Sequence, residues 1–346
     1  MKKLSDISWK VSEEEYRNDS ALSYSMLAKF ARDGFNAVAT LKEKQESPSL
    51  TFGSVVDTLI TSPEEFNEKY VVMTLPAISD TLKEIVNDLY SKYKDEYETI
   101  ANMNDDIISE VGLAHDYYKA DKYRNHRIKT IRECDNYYKT LQSVGDKTVI
   151  DTDTYMDALK CVQALKEDDT TKWYFAENTP FDTNISREYQ LKFKTKLTNL
   201  EYRCMADLLI VDYDKKEIIP VDLKTSSSNE WDFTKSFVKW QYQIQARLYW
   251  RIIRQCMDHD EFFKDFKLCD YRFIVINRNN LVPLVWEFNM SATPGLLVFG
   301  EHYDIKFVDP EILGEELNEY MTSEYRAPKD INFVEPNSLT AKLMEL

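Results

Sequence analysis

The chain has 346 residues, 43% of them hydrophobic, enough apolar material for one large domain or two ordinary ones. Only 7 glycines and 10 prolines occur, which argues against disordered and collagen-like architectures. The 44 basic side chains face 60 acidic ones, a formal net charge of −16; this excludes a non-specific nucleic-acid coat protein, whose basic footprint would dominate, but not a protein with one local positive surface.

In chain order, residues 20–42 carry Met26, Leu27, Phe30 and Ala31 at helical spacing, with Ser23 as the expected N-cap and Gly34 as the stop. Residues 53–60 read as a short buried helix. Ser62-Pro63-Glu64-Glu65-Phe66 opens another, with serine as cap, proline in the first turn and acids at the positive end of the dipole. Residues 80–145 are charged and tyrosine-rich, the pattern of long exposed helices in an insertion or separate lobe. A helix is expected over 151–165. Strands follow: 185–196, where Leu191 and Phe193 alternate with Lys192 and Lys194; 201–212; and, after the turn Tyr213-Asp214-Lys215-Lys216, 217–223. A helix over 235–256, a strand over 270–277, a helix near 311–322 and an irregular tail complete the pattern. The corresponding division is 1–70 for an N-terminal helical part, 71–183 for a helical lobe, 184–290 for an α/β core and 291–346 for a C-terminal helix and tail.

The five cysteines (Cys134, Cys161, Cys204, Cys256 and Cys269) are scattered and include no C-x-x-C. That speaks against a disulfide framework or a structural zinc, and for reduced thiols in a cytoplasmic setting. No apolar stretch follows Met1-Lys2-Lys3 as in a signal peptide, and no run approaches the roughly 18 apolar residues of a membrane span.

Two strands carry charges in apolar surroundings. Asp207 lies within Cys204–Val211, and Asp222-Leu223-Lys224 follows Ile218-Ile219-Pro220-Val221. An unpaired buried charge is costly, so such acids need a reason. In an antiparallel hairpin Asp207 and Asp222 can meet across neighbouring strands. Leu223 points to the other face while its carbonyl stays available, and Lys224 returns to the face of Asp222. Two carboxylates, a carbonyl and a lysine suit a hard divalent ion held against a phosphodiester, the lysine orienting or deprotonating a water. The helix downstream, from Lys235 to Arg254, carries Lys235, Lys239, Arg247, Arg251 and Arg254 and no acid. Its basic residues could track a nucleic-acid backbone, and Gln245 shares a face with Tyr249 at i, i+4. A basic run at Lys122, Arg124, Arg127, Lys129 and Arg132 reads as a solvated helix face, with a DNA entry as the alternative.

Together these residues resemble the PD-(D/E)XK nuclease superfamily, in its RecB-like branch, and phage exonucleases of the exodeoxyribonuclease VIII type. The resemblance runs from Ser20 to about Asn277. It rests on Leu22-Ser23-Tyr24-Ser25-Met26-Leu27, Phe52-Gly53-Ser54-Val55-Val56-Asp57, Pro63-Glu64-Glu65-Phe66, Arg187-Glu188, Tyr202–Asp207, Asp222–Ser226 and Gln245–Tyr249. It implies an α/β fold: a restriction-endonuclease-like core, a central mixed sheet flanked by helices, with a large helical insertion. It implies Asp207 and Asp222 as Mg²⁺ or Mn²⁺ ligands with the Leu223 carbonyl, Lys224 as the catalytic lysine, Gln245 and Tyr249 as the helix pair, and Glu188 as an acid on the first core strand. Asp57 stands where relatives usually carry a histidine ligand and, as a carboxylate, is implied as a further Mg²⁺ ligand. No clustered cysteines exist to bind the iron–sulfur cluster of some relatives. The implied activity is a metal-dependent DNA exonuclease of phage-type recombination, replication or repair. The implied partners are DNA, a single-strand annealing protein and further copies of the chain, with no membrane. A non-catalytic DNA-binding or assembly protein, or an endonuclease, of the same fold is the alternative.

Overall fold

The computed structural model describes residues 1–41, 43, 47–74, 78–145, 147–178, 184–227, 232–291, 297–298, 304–305 and 309–322. They form two compact units, Met1–Gln45 with Gln163–Leu346, and Glu46–Val162. The tail expected after residue 322 lies outside the described residues.

The first unit opens with α1 (Glu13–Asn18). Its Ser12 cap accepts from the Glu15 amide at 3.1 Å while the Glu15 carboxylate accepts from the Ser12 amide at 2.8 Å, a reciprocal capping box. Helix α2 (Tyr24–Asp33) ends at Gly34, whose φ of 56° favours glycine. Ser23 occupies the N-cap of α2, but its hydroxyl meets that of Ser25 at 3.0 Å instead of a backbone amide.

The second unit comprises α3 (Pro48–Thr61), α4 (Phe66–Lys69), β1 (Tyr70–Met73), α5 (Asp80–Tyr93), α6 (Asp105–Ala114), α7 (Arg124–Arg132), α8 (Asp135–Val144) and β2 (Thr148–Asp151), which pairs in parallel with β1. The expected long exposed helices are instead short ones around a core of their own. Leu82, Ile85, Val86 and Leu89 form the buried stripe of α5 and pack with Ile100, Ile108, Ile131 and Tyr138. The charged composition is the solvent face of an i, i+3, i+4, i+7 pattern. The unit begins earlier than the expected boundary at 71, because α3 belongs to it. Helix α9 (Thr152–Glu167) leads out of it.

The first unit then builds a mixed sheet from β3 (Ile185–Leu197), β4 (Leu200–Asp212), β5 (Glu217–Ser226), β6 (Lys267–Leu268), β7 (Tyr271–Asn277) and β8 (Pro283–Phe288). Its order is β3-β4-β5-β7-β8, with β6 beside β5. All pairs are antiparallel except β5 with β7 and β5 with β6. The β5–β7 crossover carries α10 (Phe233–Lys239) and α11 (Tyr242–Asp258), as a parallel connection requires. One helix was expected here. It breaks at Gln241, which adopts a left-handed φ of 58°. The break lets α10 bury Phe233 and Phe237 against Phe273 and Trp286 while α11 packs on β3 and β4 and against α2 and α12 (Pro310–Thr322). Helix α12 approaches the sheet closely at Gly314, where a Cβ would lie 2.2 Å from the Tyr202 hydroxyl. A two-residue antiparallel pair, β9 (Leu297–Val298) with β10 (Asp304–Ile305), precedes it.

Candidate active site

The site lies where β4 and β5 part. Their ladder runs from Asp212↔Glu217 to Leu208↔Val221 and stops; one more step would oppose Asp207 to Asp222. On the other side of β4, Gln190 of β3 has a left-handed φ of 51° and drops out of the ladder between Tyr189↔Leu208 and Leu191↔Ala206. The core-facing residues of β4 change parity at this point, from Tyr202, Cys204 and Ala206 to Leu209 and Val211. Such an irregularity re-aims a side chain. Here it turns the Asp207 carboxylate onto the backbone, where Oδ2 accepts the Leu223 N–H at 2.9 Å. Leu223 thus lends its N–H to this geometry.

Asp222 is 1% exposed. Its Oδ1 accepts a hydrogen bond from the Gln245 side-chain amide of α11. Its Oδ2 lies 2.5 Å from the Lys224 ammonium, yet has no well-directed hydrogen bond. Contact without direction leaves that oxygen electrostatically neutralised but free to accept another partner. Lys224 also sits with its ammonium 5.0 Å from the centroid of the Tyr242 ring, within cation–π range. Burial, the largest influence on Lys224, lowers its pKa; Asp222, Tyr242, Asp207 and Tyr24 together outweigh it and hold the value above that of an ordinary lysine. In this geometry the Lys224 ammonium is held as a cation against the Asp222 carboxylate.

Tyrosines wall the site. Tyr249 of α11 meets Tyr24 of α2 and Tyr271 of β7 edge-on, each at a centroid distance of 6.4 Å. Burial pushes the hydroxyls of Tyr249 and Tyr271 up, and the charges of Asp222 and Asp207 add to it. The Tyr271 hydroxyl is fully buried with no hydrogen-bond partner among the described residues, and the Gln245 carbonyl oxygen is likewise unsatisfied. From the sequence Tyr24 is only part of the Leu22–Leu27 motif, and Tyr242 and Tyr271 carry no site role. A tyrosine in an apolar strand or helix reads as core, and only the fold shows it facing two carboxylates.

The structure thus brings together Asp207, Asp222, Lys224, Gln245 and Tyr249. Other expected members are employed elsewhere. Glu188 accepts the backbone amides of Leu4 and Ser5, each at 2.8 Å, through separate oxygens, so its carboxylate caps the N-terminal turn. Arg251 pairs with Asp309 at 2.6 Å and Glu311 at 2.7 Å and fixes the start of α12. Arg247 is buried with its guanidinium over the Phe288 ring. Both arginines, expected from the sequence to contact nucleic acid, are held in these intramolecular contacts and line one surface cleft with Trp250 and Lys267. Lys235 and Lys239 are exposed, the first paired with Asp232 at 2.6 Å, the second over the Trp240 ring. Asp57 stands on α3, in the other unit, and the site described here is built without it. Among the described residues no three His, Cys, Asp or Glu side chains gather as a metal-binding group.

Two converging carboxylates fit a hard divalent ion nonetheless. Mg²⁺ is commonly held by one or two carboxylates while keeping several waters, and the undirected Oδ2 of Asp222 is an oxygen able to take it.

No protein-family model matches the chain, and no curated protein matches it. A solved structure from Eubacterium rectale named "Putative exonuclease" is similar at 13% identity and a TM-score of 0.39, over 90% of this chain and 83% of its own. That likeness is too weak to bear on chemistry. Among the described residues no helix is long and apolar enough to cross a membrane.

Proposed function

We propose that the protein is a divalent-metal-dependent deoxyribonuclease that hydrolyses linear DNA from its ends, in recombination, replication or repair of the phage type. The observation that carries this reading is the meeting of Asp207 and Asp222 where the ladder stops, with Lys224 and Gln245 on Asp222. The family motifs in the sequence support it. Asp207 and Asp222 would hold Mg²⁺ or Mn²⁺. When bound, such an ion neutralises charge on the scissile phosphate and activates water. The Leu223 N–H fixes the rotamer of Asp207, and the Gln245 amide fixes that of Asp222. Lys224 lends its charge to a phosphate oxygen, or orients or deprotonates the attacking water. Tyr24, Tyr242, Tyr249 and Tyr271 surround these groups with low-dielectric material, which strengthens each interaction.

A second reading, a non-catalytic DNA-binding protein of the same fold, is favoured by the absence of a third converging carboxylate among the described residues. End-labelled linear DNA, matched circular DNA and Mg²⁺ separate the two. Loss of linear DNA alone, abolished by EDTA and by Asp222→Asn, supports the nuclease. Binding with no Mg²⁺-dependent turnover supports the second reading. Equal cleavage of circles makes the protein an endonuclease.

A further inference from the structure

The connection between α6 and α7, entirely within the second unit, displays aromatic rings in a way that costs the backbone. Asp116 and Tyr118 both adopt left-handed φ values, 58° and 46°, which residues with a Cβ keep only when held there. Arg127 of α7 does the holding. It is 1% exposed and donates through one guanidinium nitrogen to the Tyr118 carbonyl and through another to the Ser109 hydroxyl. Both of these partners are neutral. Gly112 of α6 gives it passage, since a Cβ there would lie 2.8 Å from the Arg127 Cδ. A fully buried arginine is an expensive brace, and what it braces is an exposed ring.

Tyr118 is 44% exposed and Tyr123 42%. Tyr118 meets Tyr123 at 5.8 Å and the His126 ring at 4.7 Å, both edge-on. The Lys122 ammonium lies 4.9 Å from the Tyr123 ring centroid. From 119 to 132 the chain carries six cations (Lys119, Lys122, Arg124, Arg127, Lys129 and Arg132) against one acid, Asp121, in a protein of net charge −16. Lys119, Arg124 and Arg132 pair with Asp116, Asp106 and Asp105, each at 2.7 Å, and Lys129 lies 4.0 Å from Glu133. These are exposed pairs, which hold weakly and can exchange a carboxylate for a phosphate.

We propose that Tyr118 and Tyr123, with Lys122 over the Tyr123 ring, form a stacking platform for single-stranded DNA. Unpaired bases offer faces to exposed rings while cations follow the backbone, and the recognition is tolerant of sequence. Bases inside a duplex cannot do this. The platform rests on its own rings and charges and not on the metal site, although it would suit an enzyme that handles DNA ends.

The test is fluorescence anisotropy of a labelled oligothymidylate titrated with the full-length protein in EDTA, where metal-dependent cleavage cannot intervene. Tyr118→Ala/Tyr123→Ala is expected to weaken binding at least tenfold, given about fivefold to a hundredfold per stacked ring. Tyr118→Phe/Tyr123→Phe is expected to stay within threefold, and Lys122→Glu to weaken binding and flatten its salt dependence. An unchanged far-UV spectrum checks folding, and these exposed positions favour it. Alanine variants within twofold of the parent, phenylalanine variants as weak as alanine ones, or equal affinity for a duplex of the same length would each overturn the proposal. None of these outcomes depends on whether the protein cleaves DNA.

Discussion

Lys224→Met probes the electrostatics of the site. Asp222 is 1% exposed, and the Lys224 side chain 20%. Removing one member of a buried ion pair costs about 3–5 kcal/mol, because the other charge stays buried and uncompensated. Partial exposure of Lys224 and the surviving hydrogen bond from Gln245 place the expected loss near the lower end, about 3 kcal/mol. Asp222→Asn in the same background removes the stranded charge, so the double variant should recover about 1–3 kcal/mol relative to additivity. Because two units need not unfold together, the change is read by hydrogen exchange at amides of β4, β5 and α11. Millimolar Mg²⁺ should restabilise Lys224→Met more than the parent, since binding to the folded state alone stabilises it. Unchanged exchange in Lys224→Met, or additivity within about 0.5 kcal/mol, would refute the claim that the lysine neutralises a buried carboxylate.

Glu188→Gln should free the Leu4–Asp6 turn, seen as faster proteolysis near the N-terminus, with cleavage of DNA changed less than about threefold; a loss as large as that of Asp222→Asn would return Glu188 to the site. Asp309 gives a pH dependence. Burial alone would raise its pKa, but Arg251 and the Glu311 amide outweigh it and hold the carboxyl below the ordinary range. Its contribution is therefore complete above the unfolded value of about 3.9 and lost as pH falls through the lower folded value. Exchange protection of α12 should drop in that acidic window and should drop at neutral pH in Asp309→Asn. Arg251→Gln should weaken the same protection while leaving the salt dependence of DNA binding unchanged. Tyr271→Phe removes an unsatisfied buried hydroxyl, so the urea midpoint should hold or rise by up to about 1 kcal/mol equivalent. A fall of more than about 1 kcal/mol would mean the hydroxyl has a partner.

What the sequence made legible was local. Asp207 and Asp222 stood out because apolar strands rarely carry charges, and the strands themselves because alternation and apolar runs mark them. Gly34 ends α2 as its conformational freedom predicts. The misreadings share non-local causes. Glu188 is spent on residues 184 and 183 positions away, and Arg251 on acids 58 and 60 positions downstream, so composition and spacing could not reveal either partner. Gln241 breaks the expected helix because α10 and α11 bury their faces against different strands, which nothing in its own propensity announces. Strand β8 begins at Pro283, a residue that argues against a strand unless it stands at the first position. The lobe over 80–145 looked exposed because charge counts hide a narrow apolar stripe.

In the proposed mechanism Asp207 and Asp222 together hold a divalent ion. Titration of Mn²⁺ into the protein, followed by electron paramagnetic resonance of the free ion, tests it most directly. A tight Mn²⁺ site is expected in the parent, competed by Mg²⁺ and lost in Asp207→Asn/Asp222→Asn with the far-UV spectrum unchanged. Undiminished tight Mn²⁺ binding in that double variant, or no tight site in the parent, would contradict it.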